Sequence, residues 1–91
     1  MTIDLAIPGL LADSVGGRRV VPLTADTLEG AVAAISAQYP LLRPHVFDER
    51  SALRTHVRLF FNGENLRWIA DRDVALKSGD RLEILQAVSG G

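Results

Sequence analysis

The chain has 91 residues, of which 47% are hydrophobic and 23% are charged, and its formal net charge is −1. This length predicts one domain, and the near-neutral charge argues against nucleic acid or an anionic membrane as partner. The absence of cysteine excludes disulfides, thiolate metal sites and a cysteine nucleophile. We see no signal segment and no apolar stretch of membrane-spanning length, and we therefore expect a cytoplasmic protein.

The first predicted elements form a hairpin. Residues 2–7 alternate in polarity with the period of a strand, and the pair Pro8 and Gly9 breaks that pattern. A Gly-Gly turn at positions 16 and 17 then leads to a second strand over residues 18–23. Two strands joined by a short connection pair antiparallel. Pro22 fits such a strand only where its missing N–H faces away from a partner.

A helix is predicted next, and it is the clearest element of the chain. Asp26 is the expected N-cap, and Glu29 three residues later completes an arrangement that resembles a capping box. Apolar side chains then recur at helical spacing, at Leu28, Ala31, Val32, Ile35 and Tyr39. Pro40 ends the pattern, so the helix should stop near residue 39.

The second half of the chain predicts three more strands. Residues 55–61 alternate with period two, a tight-turn pair follows at Asn62 and Gly63, and residues 65–68 should form a short returning strand. A turn over residues 78–80 precedes a last strand over residues 81–86.

The order strand, strand, helix, strand, short strand, strand is that of an α+β β-grasp, or ubiquitin-like, fold. One main helix must cover one face of a mixed sheet of four to five strands. We expect a single domain over residues 1–86, followed by a flexible C-terminal Gly-Gly tail over residues 87–91.

No catalytic or metal-binding set is evident in the sequence. The two histidines, His45 and His56, lack the spacing of metal ligands. Asp71 and Asp73 lie in a charged connector and fit a solvated loop better than a carboxylate pair in acid–base work. We therefore predict that the chain is not an enzyme and binds no metal or cofactor itself.

The C-terminal part of the chain resembles the ubiquitin-like sulfur-carrier family. That family includes the small subunit of molybdopterin synthase, ThiS and the cysteine-biosynthesis carrier CysO. The resemblance rests on Leu59-Phe60-Phe61-Asn62-Gly63-Glu64, Ser78-Gly79-Asp80, Arg81-Leu82-Glu83-Ile84-Leu85 and Gln86-Ala87-Val88-Ser89-Gly90-Gly91. In the N-terminal half, the Pro-containing break, the Gly-Gly turn and the start of the helix are similar to the cysteine type.

The resemblance implies a role for the last residues. An activating enzyme of the ubiquitin-activating type, an adenylyltransferase and sulfurtransferase, would use ATP and magnesium to adenylate Gly91. Sulfur would then replace AMP and leave a C-terminal thiocarboxylate. Gly90, Ser89 and Val88 would form a tail thin enough to enter the partner's active-site channel, because glycine has no Cβ.

The resemblance also implies partners that receive the sulfur. A cysteine-synthase-like or a molybdopterin-synthase-like enzyme would be the acceptor, and a metalloprotease is a further candidate partner. Cysteine, molybdopterin, thiamin and secondary-metabolite pathways all stay open, and the N-terminal similarity favours the cysteine type.

A docking surface is expected on the sheet face away from the helix. Phe60 and Leu85 should be exposed there on adjacent strands, with Arg58 and Glu83 beside them. An exposed aromatic residue next to an exposed leucine is typical of a partner interface.

Two other functions remain open at this point. A ubiquitin-like modifier would share the fold, the tail and the activation step, although Lys77 is the only lysine and offers a single acceptor for self-conjugation. A β-grasp interaction domain with an inert tail is the third possibility.

Overall fold

The computed structural model of the chain describes residues 1–86 and contains one five-stranded sheet. The order of strands across the sheet is β2-β1-β5-β3-β4. The strands are β1 Thr2–Ala6, β2 Val20–Thr24, β3 Val57–Phe61, β4 Glu64–Asn65 and β5 Arg81–Gln86.

The sheet is mixed because one of its four strand pairs is parallel. β1 pairs parallel with β5, whereas the β1–β2, β3–β5 and β3–β4 pairs are antiparallel. The last strand of the chain therefore lies between the first and the third strands. This is the topology of a β-grasp, and it confirms the predicted hairpin and mixed sheet.

Helix α1, Leu28–Gln38, covers one face of the sheet. Its buried residues include Leu28, Ala31 and Ile35, which belong to the predicted apolar stripe. Together with the inward side chains of the strands they form the core, whose fully buried members include Leu5, Leu23, Leu59, Leu82 and Ile84. Within residues 1–86 no helix is long and apolar enough to cross a membrane.

The N-cap of α1 is Thr27, and the prediction of Asp26 is wrong by one residue. Thr27 has an extended backbone, and its Oγ1 accepts a hydrogen bond from the Gly30 N–H at 3.1 Å. Asp26 lies one residue too early to reach that donor, and its carboxylate is instead exposed, 4.0 Å from the N-terminal amino group.

The edge strand β2 is protected from further pairing. Pro22 lies opposite Asp4 in a residue pair that exchanges no backbone hydrogen bonds. Its missing N–H therefore costs no hydrogen bond between β1 and β2. On the open side of β2, the Gln38 side-chain amide accepts from the Thr24 N–H and donates to the Thr24 carbonyl. The Tyr39 hydroxyl also donates to the Pro22 carbonyl. The end of α1 thereby occupies backbone groups that an edge strand would otherwise expose.

The connections contain short helices. A 3₁₀ helix, Gly9–Val15, joins β1 to β2, and α2, Arg43–Val46, follows α1. The predicted returning strand over residues 65–68 is only partly correct, because β4 ends at Asn65 and a 3₁₀ turn, Leu66–Trp68, replaces the rest. The Asn65 side chain accepts from the Arg67 N–H at 2.9 Å, and this contact turns the chain away from the sheet.

Candidate functional site

The candidate site is the end of β5 together with the sheet face opposite α1, which we call the outer face. β5 ends at Gln86, and the predicted reactive end with its tail, Val88, Ser89, Gly90 and Gly91, lies outside the described residues. β5 is the middle strand of the sheet; it is paired with β3 up to the Val57–Gln86 pair and with β1 over Arg81–Glu83. The segment after residue 86 therefore begins from the middle of the sheet.

The outer face brings the predicted docking residues together. Arg58 lies opposite Leu85 across the β3–β5 ladder, and Phe60 lies opposite Glu83 in the same ladder. Leu85 is 41% exposed, as expected, and Arg58 is partly exposed beside it. The four side chains share one face because directly paired residues point to the same side of a sheet.

Phe60 differs from the expectation, because it is half-buried rather than exposed. It has a cross-strand neighbour on each side, Glu83 on β5 and Asn65 on β4. Phe60 therefore lies between two paired strands rather than at an open edge. Leu85 is therefore the more accessible apolar residue of the pair.

Val20 extends the outer face in a way that the sequence did not indicate. It lies opposite Ala6, which in turn lies opposite Glu83, so a single row crosses from β2 to β3. Val20 is 42% exposed, about the same fraction as Leu85. Val20 points away from the helix because Val21 and Leu23 are the buried residues of β2, and the strand order brings it into line with Glu83 and Phe60.

A shallow groove of about 270 Å³ separates Val20 from Leu85, and Pro8 and Gly9 line it. Arg19 also lines the groove, and its Nε donates to the Ile7 carbonyl at 2.8 Å. The outer face therefore offers exposed apolar side chains beside a fixed guanidinium.

The turn before β5 is a structural element built around Asp80. Asp80 is buried, and its carboxylate accepts from the Lys77 N–H at 2.8 Å and from Asn62 Nδ2 at 3.0 Å. The backbone N–H of Lys77, and then the Asn62 amide and the Lys77 charge, lower the pKa of Asp80 against the opposing effect of its desolvation. Asn62 Oδ1 in turn accepts from the Arg81 N–H. These contacts fix the point at which β5 enters the sheet.

The other polar residues considered from the sequence do not converge. His45 is exposed within α2, and His56 is half-buried before β3. The Asp71 carboxylate accepts from the Asp73 N–H at 3.0 Å, so its role there is in a turn. Within residues 1–86 no group of three or more potential ligands could hold a metal ion.

Comparison with known proteins identifies relatives of the whole chain. The ThiS family matches residues 5–91. The chain is 30% identical to the sulfur carrier protein CysO of Mycobacterium tuberculosis (strain ATCC 25618 / H37Rv) over 93 residues, covering 100% of both chains. This relative is named a carrier, which agrees with the prediction that the chain is not an enzyme.

Solved structures agree with this relationship. SAMP1 from Haloferax volcanii has 29% identity and a TM-score of 0.77, with 100% of both chains covered. A chain of the Amycolatopsis orientalis BexX/CysO complex has 25% identity and a TM-score of 0.78, with 98% of this chain and 99% of that chain covered. The predicted β-grasp fold and the predicted family resemblance are confirmed. The protein belongs to the ThiS family of ubiquitin-like β-grasp proteins.

Proposed function

We propose that this protein carries sulfur as a thiocarboxylate on the C-terminal carboxyl group of Gly91. The observation that carries the proposal is the full-length similarity to the sulfur carrier protein CysO in a chain that ends in Gly90 and Gly91. Activation of the carboxyl group uses ATP and is proposed to take place in the cytoplasm.

The chemistry needs two steps, both catalysed by partners. In the first, a Gly91 carboxylate oxygen attacks the α-phosphate of ATP, with magnesium bound by the partner, and pyrophosphate leaves. In the second, a sulfur nucleophile such as hydrosulfide attacks the acyl carbon, the C–O bond to AMP breaks, and AMP leaves as the thiocarboxylate forms. Adenylation is needed because a carboxylate repels nucleophiles and has no adequate leaving group.

The outer face is the proposed docking surface for the activating enzyme. Leu85 supplies the exposed apolar contact, Phe60 lies half-buried on the neighbouring strand, and Arg58 supplies a charge next to them. Leu85 precedes the end of β5 by one residue, so a partner bound here would lie beside the start of the tail.

Mass spectrometry of the whole chain tests the proposal. The protein is incubated with a candidate activating enzyme, ATP, magnesium and sulfide, and the expected product is heavier by one exchange of oxygen for sulfur. The matched control lacks Gly91, keeps residues 1–86 unchanged and should gain no sulfur. Absence of the product with every activating enzyme of the source organism would contradict the proposal, provided that circular dichroism shows folded protein.

The same relatives also support a proposal for the enzyme that accepts the sulfur. A relative from Amycolatopsis orientalis is part of the BexX/CysO complex, which supports a second protein as partner. We favour a cysteine-synthase-like acceptor because the curated relatives are CysO proteins. A molybdopterin-synthase-like acceptor and a metalloprotease are the other proposed partners, and sulfur transfer from the purified thiocarboxylate to each substrate separates them.

A second candidate function is protein modification through Gly91. The similarity to SAMP1, a small archaeal modifier protein, favours it. The only lysine, Lys77, is exposed, so self-conjugation would have a single lysine acceptor. Conjugates of higher mass that survive denaturation and disappear when Gly91 is deleted would support this function, whereas a pool of free thiocarboxylate supports the first.

A further inference from the structure

A groove of about 710 Å³ lies along the part of β3 that β4 leaves uncovered, and it shares Arg58 with the outer face. β4 pairs only with Phe60 and Phe61, and Val57, Arg58 and Leu59 line the groove. The first turns of α1 and residues 51–55 form the other walls. The volume is within the range of sites that bind extended side chains or small molecules.

The groove concentrates positive charge in a chain whose net charge is −1. Four arginines line it, Arg54, Arg58, Arg67 and Arg72, whereas Glu29 is its only acidic residue. Glu29 Oε2 lies 3.7 Å from an Arg72 guanidinium nitrogen, which compensates one of the four charges. Three positive charges therefore face the groove without an acidic partner among its lining residues.

Three of these guanidinium groups are held in place by backbone carbonyls. Arg54 Nε donates to the Pro44 carbonyl at 2.6 Å, and one terminal nitrogen of Arg58 donates to the Thr55 carbonyl at 2.7 Å. A terminal nitrogen of Arg72 donates to the Leu66 carbonyl at 3.2 Å. A guanidinium has five N–H donors, so each of these contacts leaves donors for a ligand. Fixed side chains also lose less conformational entropy on binding.

An exposed tryptophan directly follows Arg67, one of the groove's lining residues, in the sequence. Trp68 is 72% exposed and occupies the same 3₁₀ turn as Arg67 and Leu66, which line the groove. Tryptophan and arginine are the residue types that most often dominate binding energy at protein interfaces. The 3₁₀ turn therefore carries both an arginine that lines the groove and an exposed tryptophan.

We propose that this groove binds an extended acidic segment of a partner protein. Carboxylates of the segment pair with Arg54, Arg58 and Arg67, and its apolar side chains contact the partly exposed Val32 and Leu53 and the indole of Trp68. Nucleic acid fits less well, because the chain has a pI of about 6.0, whereas nucleic-acid-binding domains are usually strongly basic.

The test uses the full chain alone, so that its outcome is independent of sulfur chemistry at Gly91. A short blocked peptide of alternating glutamate and valine is titrated into the protein, and amide resonances are followed by NMR. The expected shifts fall on residues 51–58 and 65–72 and saturate. The matched peptide of alternating lysine and valine should produce none of them.

Two charge reversals of exposed arginines provide the matched variants. Arg67→Glu lies in the groove and should raise the Kd of the glutamate peptide by about 10-fold, because an attractive pair becomes a repulsive one. Arg18→Glu makes the same change in net charge near the β1–β2 connection and should change the Kd by less than about twofold. Equal effects of the two variants would overturn the proposal and indicate binding through net charge.

Three further results would overturn it. The first is saturable shifts outside the groove residues. The second is inorganic phosphate producing the same shifts and displacing the peptide, which would make the groove a small-anion site. The third is a single-stranded oligonucleotide binding the same residues more tightly than the peptide does.

Discussion

Asn62 and Asp80, which lie in the turns that precede β4 and β5, are joined by a hydrogen bond of 3.0 Å from Asn62 Nδ2 to Asp80 Oδ1. Asn62 Oδ1 also accepts from the Arg81 N–H, and the Asn62 N–H donates to the Arg81 carbonyl. The two turns that resemble the family's pattern thus form one connected unit. Their role is to position β5, and with it the start of the C-terminal segment.

We expect Asp80→Asn to destabilise the fold by about 1–3 kcal/mol at neutral pH, because a buried acceptor of two N–H groups is replaced by an amide. The free energy of unfolding is measured by urea denaturation. Asn62→Ala removes the other partner, and the double variant should lose less than the sum of the single changes. Strict additivity would show that the two residues do not act as a unit.

The same residue predicts a pH dependence. The pKa of Asp80 is lowered from its ordinary value of 3.8 by the Lys77 N–H, so the unfolded state binds a proton more readily than the folded state. The stabilisation is therefore fully present above about pH 4 to 5 and is lost as the pH falls toward the lowered value. The stability difference between the native protein and Asp80→Asn should shrink through this range, and a difference that stays constant down to pH 2 would contradict it.

We expect Thr27→Ala to cost about 1 kcal/mol of stability, because it removes the side-chain acceptor of the Gly30 N–H at the start of α1. Asp26→Ala is the control. This substitution removes the exposed carboxylate of the neighbouring residue, which lies 4.0 Å from the N-terminal amino group. It should change the free energy of unfolding by less than about 0.5 kcal/mol. The reverse ranking would show that Asp26 is the cap after all.

We expect Gly79→Ala to destabilise the protein by about 1 kcal/mol through the backbone alone. Gly79 has φ of +91°, and no atom lies within 4 Å of the position that a Cβ would take. Gly9→Ala is the matched control, because Gly9 has no positive φ and its nearest neighbour would be Arg19 at 3.6 Å. Equal effects in thermal unfolding would argue against backbone strain as the cause.

We expect Leu85→Asp to slow thiocarboxylate formation at Gly91 by about 10-fold or more while leaving the fold intact, since Leu85 is 41% exposed on the proposed docking surface. Leu41→Asp is the control, because Leu41 is 67% exposed and follows α1, which covers the other face of the sheet. Leu85 is preferred to the half-buried Phe60, whose substitution would also affect stability. Unchanged activation of folded Leu85→Asp would contradict the docking assignment.

The features predicted well are those that depend on local pattern. The helix period predicts the apolar stripe at Leu28, Ala31 and Ile35, and the strand period predicts the alternation in β3 and β5. The predicted tight turn forms at Asn62 and Gly63, which both have positive φ. The N-cap was misplaced because two adjacent residues can both cap a helix, and only backbone geometry selects Thr27.

The features missed are those that depend on contacts distant in sequence. Val20 joins the outer face only because β1 separates β2 from β5, and Phe60 is half-buried because Asn65 and Glu83 flank it. The arginine-lined groove combines side chains of α1 with side chains from residues 47–59 and 65–72. In the sequence those arginines are scattered and gave no sign of a common site.

The position of β5 has a mechanical consequence. β5, the last strand of the described residues, is paired with β3 over residues 82–86 and with β1 over residues 81–83. A partner that pulls on the C-terminal segment would load both ladders in shear, because both run along the direction of the strand. Force applied to the C-terminal segment therefore moves the whole domain before it extracts β5 from the sheet.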